Sequence, residues 1–202
     1  MQANKTGITL KGSTQMVTEF FGFGLNSILY QRGVYPDDMF TRKEAYGLSI
    51  LVTSDPKLEQ FLKTVLDQVR EWLLKKVIKK LVLVMKNVKT EEIVERWVFN
   101  IDCEKQVDSE NTNSKKELKD IQNEIRAVLR QIIASVTFLP ALEDTCTIDV
   151  QVYTDKDEET PSCCYESSAL LIKDAEQVKF KSFSTTVHKV QGMVEYKVKD
   201  DE

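Results

Sequence analysis

The chain has a single histidine, four cysteines, four prolines and seven glycines among its 202 residues. With His188 alone, a cluster of imidazole ligands is excluded, and any cysteine or serine nucleophile has only one histidine base to call on. A lone histidine within a strand reads as a structural residue. Cys103, Cys146, Cys163 and Cys164 stand in no nucleophile context. Cys163 and Cys164 are adjacent and lack the CxxC spacing of a zinc site. Glycine never gathers into GxGxxG or GxxxxGK[ST], so no dinucleotide or phosphate loop is signalled. No apolar run approaches the roughly 20 residues of a membrane span. The start, MQANKTGITL, lacks the charged-then-apolar layout of a secretory leader. An intracellular setting with reduced thiols is therefore expected. The run Asp155, Asp157, Glu158 and Glu159 lacks the glycine and distal glutamate of a calcium loop and reads as solvated. A net charge of -4 speaks against nucleic acid. No enzyme, cofactor or metal is expected.

What is present fits a single domain over 1–202, 42% hydrophobic and 30% charged. Residues up to Gly12 read as a mobile arm. Ser13 is placed to cap a helix running to about Tyr30, with Val17, Phe20, Phe21, Gly24, Leu25 and Ile28 inward. Asp55-Pro56 opens a second helix whose stripe is Leu58, Phe61, Leu62, Val65, Leu66, Val69, Trp72 and Leu73. Trp72 reads as a core residue. Lys75, Lys76, Lys79 and Lys80 follow, where cations suit the negative end of a helix dipole. Without interleaved aromatics they make a poor nucleic-acid patch. Leu81–Lys86 and Ile93–Asp102 predict a hairpin, and CEKQVDSENTNSKK an exposed loop.

The clearest periodicity lies in KKELKDIQNEIRAVLRQIIASV, Lys115–Val136. Leu118, Ile121, Ile125, Val128, Leu129, Ile132, Ile133 and Val136 recur at three- and four-residue steps. Ala127 and Ala134 fall opposite, beside Arg130 and Gln131. That face is either ordinary solvent surface or a shallow seat for another surface. Cys146–Tyr153 alternates Ile148, Val150 and Val152 as a strand. After a loop-like stretch, Val187–Val190 and Met193–Val198 predict two strands turning at Gln191-Gly192. A terminal hairpin on so long a tether has more than one sheet edge it can pair with.

The strings GITLKGS, FFGFGLNSILYQRGVYP, YGLSILVTSD, VERWVFNID, EIRAVLRQIIASVTFLP, YTDKD and FSTTVHKV, in this order, resemble the mitotic-arrest-deficient spindle checkpoint branch of the HORMA-domain family. The likeness spans about Gly7 to Lys197. It implies an α+β fold, three helices on a mainly antiparallel sheet, with a mobile C-terminal safety belt and hairpin from about residue 154. It also implies two arrangements. In the open one the hairpin covers the edge where a partner binds. In the closed one it crosses to the other side, and the belt wraps an extended partner peptide.

By the same resemblance, Arg130 and Gln131 match the pair joining an open to a closed copy, with Phe138, Glu95 and Lys181 bordering them. Lys181 replaces an arginine of the vertebrate pattern. Ile148 to Tyr153 (with Val150 and Val152) meet the peptide, Trp72 lines its site, and Tyr165 stands where vertebrates carry tryptophan. Leu10 is the anchor released on conversion, and His188 and Tyr196 belong to the moving hairpin. Gly192 replaces a phosphorylatable serine. Implied partners are a coiled-coil kinetochore checkpoint protein, the activator of the anaphase-promoting complex and a checkpoint kinase-like scaffold. A HORMA-fold antagonist adaptor with its AAA remodelling ATPase and a second copy of the chain complete the set. Neither nucleic acid nor membrane is among them. The implied sites are nucleus, mitotic kinetochore and cytoplasm. The rival is another HORMA adaptor, of DNA-polymerase or meiotic-axis type.

Overall fold

The computed structural model describes residues 8–103 and 116–198, so the start of the expected arm and most of the polar loop after Cys103 lie outside the described residues. Five antiparallel strands form the main sheet in the order β5-β3-β4-β7-β6. They are β3 (Ile78–Asn87), β4 (Ile93–Cys103), β5 (Cys146–Thr154), β6 (Ala175–Ser184) and β7 (His188–Lys197). The helices α1 (Leu10–Gln31), α2 (Pro56–Lys75) and α3 (Leu118–Ala134) pack with one face of this sheet in a common core. The α+β architecture expected from the sequence is the one observed.

A hairpin of β1 (Phe40–Ala45) and β2 (Leu48–Thr53) against α1 was not legible in the residue pattern. Only Phe40 of β1 is buried, so no apolar alternation marks it. Its turn has Tyr46 and Gly47 both at positive φ, 53° and 66°, as a two-residue type I′ connection requires.

The most enclosed helix is α1 rather than α3. Phe20 lies 4.7 Å from Phe183 and 5.9 Å from Phe99, ring centre to ring centre, with Phe21 5.6 Å from Phe99. The helix also starts earlier than expected. Thr9 Oγ1 accepts from Gly12 N at 3.1 Å, so Thr9 is the cap, Leu10 is already helical, and Ser13 is fully buried. In α2 the expected start holds: Asp55 Oδ1 accepts from Lys57 N and Leu58 N, with Pro56 in the first turn. Phe61, expected inward, is 39% exposed. The core stripe of α3 is Ile121, Ile125, Val128, Leu129 and Ile132. Leu118 and Val136 are exposed, because α3 begins only at Leu118 and gives way to a tight turn over Ser135–Thr137.

Two further differences concern β-structure. Period-two alternation in the sequence predicts Ile93, Glu95, Trp97, Phe99 and Ile101 on one face of β4. The last four do face the helices, but a bulge opposite Met85/Lys86 turns Ile93 to the far face with Val82, Val84 and Val98. At the carboxyl end, Gln191-Gly192 is not a turn. β7 runs unbroken through it, and the chain reverses at 185–187, where Thr186 has φ 74°. Gly192 is there for closeness. A Cβ would stand 3.1 Å from Phe99 Cε1 and 3.2 Å from Phe180 Cδ2.

Both rings are buried, and Phe180 is stacked on Trp97 at 5.7 Å, so they have little room to yield. Gly192→Ala is expected to destabilise by about 1–3 kcal/mol through overpacking, outweighing the roughly 0.4–1 kcal/mol usually gained by removing a glycine. Urea denaturation checks this; a midpoint equal to or above that of the parent chain would contradict the packing argument.

Candidate functional site

The placement of the C-terminal hairpin decides which flank of the β5-β3-β4 ladder is extended and which is left open. β7 pairs with β4 from Glu95↔Tyr196 to Cys103↔His188, and β6, paired with β7, is the outermost strand on that side. On the other side β5 pairs with β3 alone among the described residues, leaving its outer backbone groups without a ladder partner. Along that free edge runs a groove of about 500 Å³. Its walls are Phe61, Val65 and Trp72 of α2, residues 149–154 of β5, and the segment that follows. Trp72 is 5% exposed, and its indole N–H is buried without a hydrogen-bond acceptor among the described residues.

The segment 155–174 has to travel from β5 at one edge to β6 at the other, and does so across the far face of the sheet. Leu170 packs there with Val82, Val84, Val98 and Met193. Gln151 is the buckle. Its side-chain amide donates to Ser167 Oγ at 3.0 Å and to Ser168 O at 2.9 Å, and its carbonyl accepts from Leu170 N at 3.2 Å. Sequence reasoning missed this residue; its only signal was a polar amide on a strand face otherwise short of burial. The lysines after α2 and the acidic run meet. Lys75 pairs with Glu158, and Lys79 Nζ lies 3.2 Å from Asp155 Oδ1, which draws the belt onto the end of α2 and the start of β3. Lys80 sits 5.1 Å over the ring of Tyr153.

Of the residues assigned to peptide contact, Trp72, Val150, Val152, Tyr153 and Tyr165 line the groove together. Ile148 is on the same strand but outside that lining. Tyr165, 76% exposed, stands on the belt side.

The hairpin is locked by a sealed polar chain. Ser13 Oγ lies 2.5 Å from Thr185 Oγ1 and 2.6 Å from His188 Nδ1, and His188 Nε2 lies 3.3 Å from Leu73 O. A carbonyl only accepts, so Nε2 carries the proton. Nδ1 then accepts from the Ser13 hydroxyl, and the Thr185 hydroxyl stands between Ser13 Oγ and the His188 carbonyl, to which it donates at 3.1 Å. The relay ties the start of α1 and the end of α2 to the hairpin turn. A serine beside a histidine nitrogen is also a nucleophile-and-base geometry, but Ser13 and His188 are both fully buried and no substrate reaches them. Leu10, one turn before Ser13, is half-buried at the helix start, and Tyr196 donates to Glu176 Oε2 at 2.8 Å within the hairpin.

The residues assigned to self-association divide. Arg130, Phe138 and Lys181 are exposed, as is Ala134, on the outer face formed by α3, the turn after it and β6. Gln131 is half-buried and its Oε1 accepts from Lys181 N at 2.7 Å, holding the β6 bulge to α3. Glu95 is not at a surface. It is 1% exposed, accepts from Arg32 Nε at 2.9 and 3.0 Å and from Trp97 Nε1 at 2.7 Å. Burial pushes its carboxyl up, against the opposing pull of Arg32. Arg32 also donates to Pro140 O at 2.5 Å. This clamp joins the end of α1, β4 and the chain after α3, and has no group to spare for a second molecule.

The model of the HORMA domain matches residues 13–188. The chain belongs to the HORMA-domain family. It is 50% identical over 195 residues to the mouse protein named "Mitotic spindle assembly checkpoint protein MAD2A", covering 96% of this chain and 95% of that one. The Dictyostelium discoideum protein of the same name is 51% identical over 98% of both chains. Among solved structures, a chain of "Crystal Structure of Mitotic Checkpoint Complex" superposes with TM-score 0.84 at 42% identity, covering 93% of this chain and 99% of that one. A chain of "Structure of HTP-2 bound to HTP-3 motif-6" shares the fold, TM-score 0.75 at 14% identity, over 94% of this chain and 92% of that one.

Burial, and to a lesser degree the nearby Lys76, lower the pKa of His188, while the Leu73 carbonyl opposes them. The unfolded chain takes up the imidazole proton below about pH 6.5, whereas the folded chain resists it. The stabilisation from neutral His188 is therefore complete above that pH and declines as pH falls below it. NMR titration of the single imidazole should give a midpoint below the free-histidine value. The loss of stability from pH 7 to pH 5 should also be smaller in His188→Asn. A normal midpoint and equal pH dependence would contradict the sealed relay.

Proposed function

We propose that this chain is a spindle assembly checkpoint protein that holds an extended partner peptide as an added strand on β5, with the 155–174 belt closed over it. The observation that carries the reading is the open β5 edge alongside the walled groove, while the hairpin occupies the opposite edge. That placement corresponds to the closed arrangement of the family resemblance. An added strand gains affinity from backbone hydrogen bonds and selectivity from alternate side chains. Here Val150 and Val152, with Phe61 and Val65 of α2 opposite, offer the apolar side of the groove.

The checkpoint role is supported by relatives named for it at 40–51% identity over nearly the whole chain. The HTP-1 and HTP-2 chains share only 13–14%, so another HORMA adaptor role is not favoured. The peptides come from a coiled-coil kinetochore checkpoint protein and from the activator of the anaphase-promoting complex. Capturing the activator holds the ubiquitin ligase off and delays anaphase, in an assembly that includes the kinase-like scaffold. The antagonist adaptor with its AAA ATPase reopens the belt. Nucleus, cytoplasm and mitotic kinetochores are the sites of this cycle. Arg130, with Phe138 and Lys181, forms the face that meets an open copy. Gln131 and Glu95 support that face from within.

Fluorescence or calorimetric titration with extended peptides from the two partners tests the reading. Both peptides should bind at one site, and saturation should protect the belt from proteolysis. If neither binds and the belt stays equally cleavable, the reading fails. In the same assays Arg130→Ala should lose self-association by sedimentation and keep its peptide affinity; an undiminished dimer would remove Arg130 from this role.

A further inference from the structure

The belt carries one chemically reactive feature that peptide capture does not use. Cys163 and Cys164 both lie exposed in the groove-lining segment, with Sγ atoms 3.6 Å apart. A turn in which Cys164 N donates to Pro161 O at 2.9 Å fixes the pair. Cys163 Sγ also faces Gln68 Oε1 of α2 at 3.8 Å, so the dithiol sits where the belt touches the helix.

We propose that Cys163–Cys164 is a reversible modification site, a dithiol that a hydroperoxide closes to an intramolecular disulfide, loosening the belt from α2. In the first step the Cys163 sulfur attacks the O–O bond. An S–O bond forms, O–O breaks, and the alcohol leaves with a proton. The Cys164 sulfur then attacks the resulting sulfenic acid. S–S forms, S–O breaks, and water leaves. The two sulfurs lose two electrons, and the peroxide gains them. Of the two thiols Cys164 holds its proton the more firmly, through partial burial, the hydrogen bond from the pair and the charge of Cys163, which leaves the first attack to Cys163 and makes proton loss from Cys164 part of the second step. Both thiols are accessible and each has a resolving partner beside it, the arrangement of redox-sensitive cysteines.

Reversal is built in. Adjacent Cα atoms are about 3.8 Å apart, short of the roughly 4.4–6.8 Å that an unstrained disulfide spans. The ring is therefore strained and easily reduced by a dithiol, which marks a regulatory rather than a structural bond. Closure brings the two sulfurs together and removes the Cys163 S–H from Gln68. Cys103 and Cys146 lie half-buried elsewhere and take no part.

The effect on peptide capture rests on the function proposed above; the thiol chemistry does not. The test treats the full chain with hydrogen peroxide and reads intact mass, the mass of the peptide holding both cysteines, and protease cleavage within 155–174. The expected result is loss of two hydrogens in that peptide, faster belt cleavage, and return of both readings with dithiothreitol. Cys164→Ser should instead stop at a sulfenic acid trapped by dimedone. A disulfide between molecules, a bond to Cys103 or Cys146, or no reaction would overturn the site. Ring closure with unchanged belt cleavage would overturn the coupling to α2. Peptide titration of reduced chain separately decides the function itself.

Discussion

A β-sheet edge exposes a row of backbone donors and acceptors that some chain segment, water or partner must satisfy, and the β5-β3-β4 ladder has one hairpin for its two flanks. With β6–β7 on β4, the β5 flank, the one beside the groove, is left open. Everything at the candidate site follows from that choice. The chain leaving β5 has to cross the sheet to reach β6, which creates the belt. The belt, spaced from β5 and α2, creates the groove. Affinity for an extended peptide is thus a property of backbone geometry first and of side chains second.

The surrounding structure separates what is fixed from what is held by releasable contacts. Arg32, Glu95, Trp97 and the carbonyl of Pro140 form a buried clamp. Breaking such a pair from one side costs about 3–5 kcal/mol, which keeps α1, β4 and the chain after α3 as one body. The hairpin and belt are held otherwise. The Ser13–Thr185–His188 relay, the Gln151 buckle and the Lys75 and Lys79 ion pairs are each modest, and the ion pairs are solvent-accessible. Packing of Phe180 and Phe183 supplies the apolar part. The side-chain ties are thus few, and most of the hold on the hairpin is its ladder with β4 and the core packing of Phe180, Phe183, Val190 and Val194, which a two-state switch has to exchange as one unit.

Legibility in the sequence followed the strength of the local signal. The helices announced themselves through periodicity and, for α2, through Asp55-Pro56. β3 did so through a continuous apolar run, and β4 and β5 through alternation. β1–β2 escaped because its first strand buries one side chain and its turn relies on Tyr46 at positive φ. Gly192 misled because a glycine wanted for close approach looks like one wanted for a turn. Thr9 and Ser13 competed for the same cap, and only the tertiary partners of Ser13 decide between them. The groove residues came from family resemblance. The physical pattern alone had placed Trp72 in the core, which its burial matches, and could not show that its N–H is left unpaired. Gln151 and the belt ion pairs join residues far apart in sequence and leave no local trace.

Peptide capture as proposed requires that the β5 edge be the one a peptide completes. Amide hydrogen exchange resolved to single residues tests this most directly, in the free chain and in the peptide-saturated chain. Outward-facing amides between Ile148 and Tyr153 should exchange fast when free and slow on saturation, while the β4–β7 amides stay slow in both. If the β5 amides remain fast in the saturated complex, or new protection falls elsewhere, the peptide does not extend this sheet and the central claim is wrong.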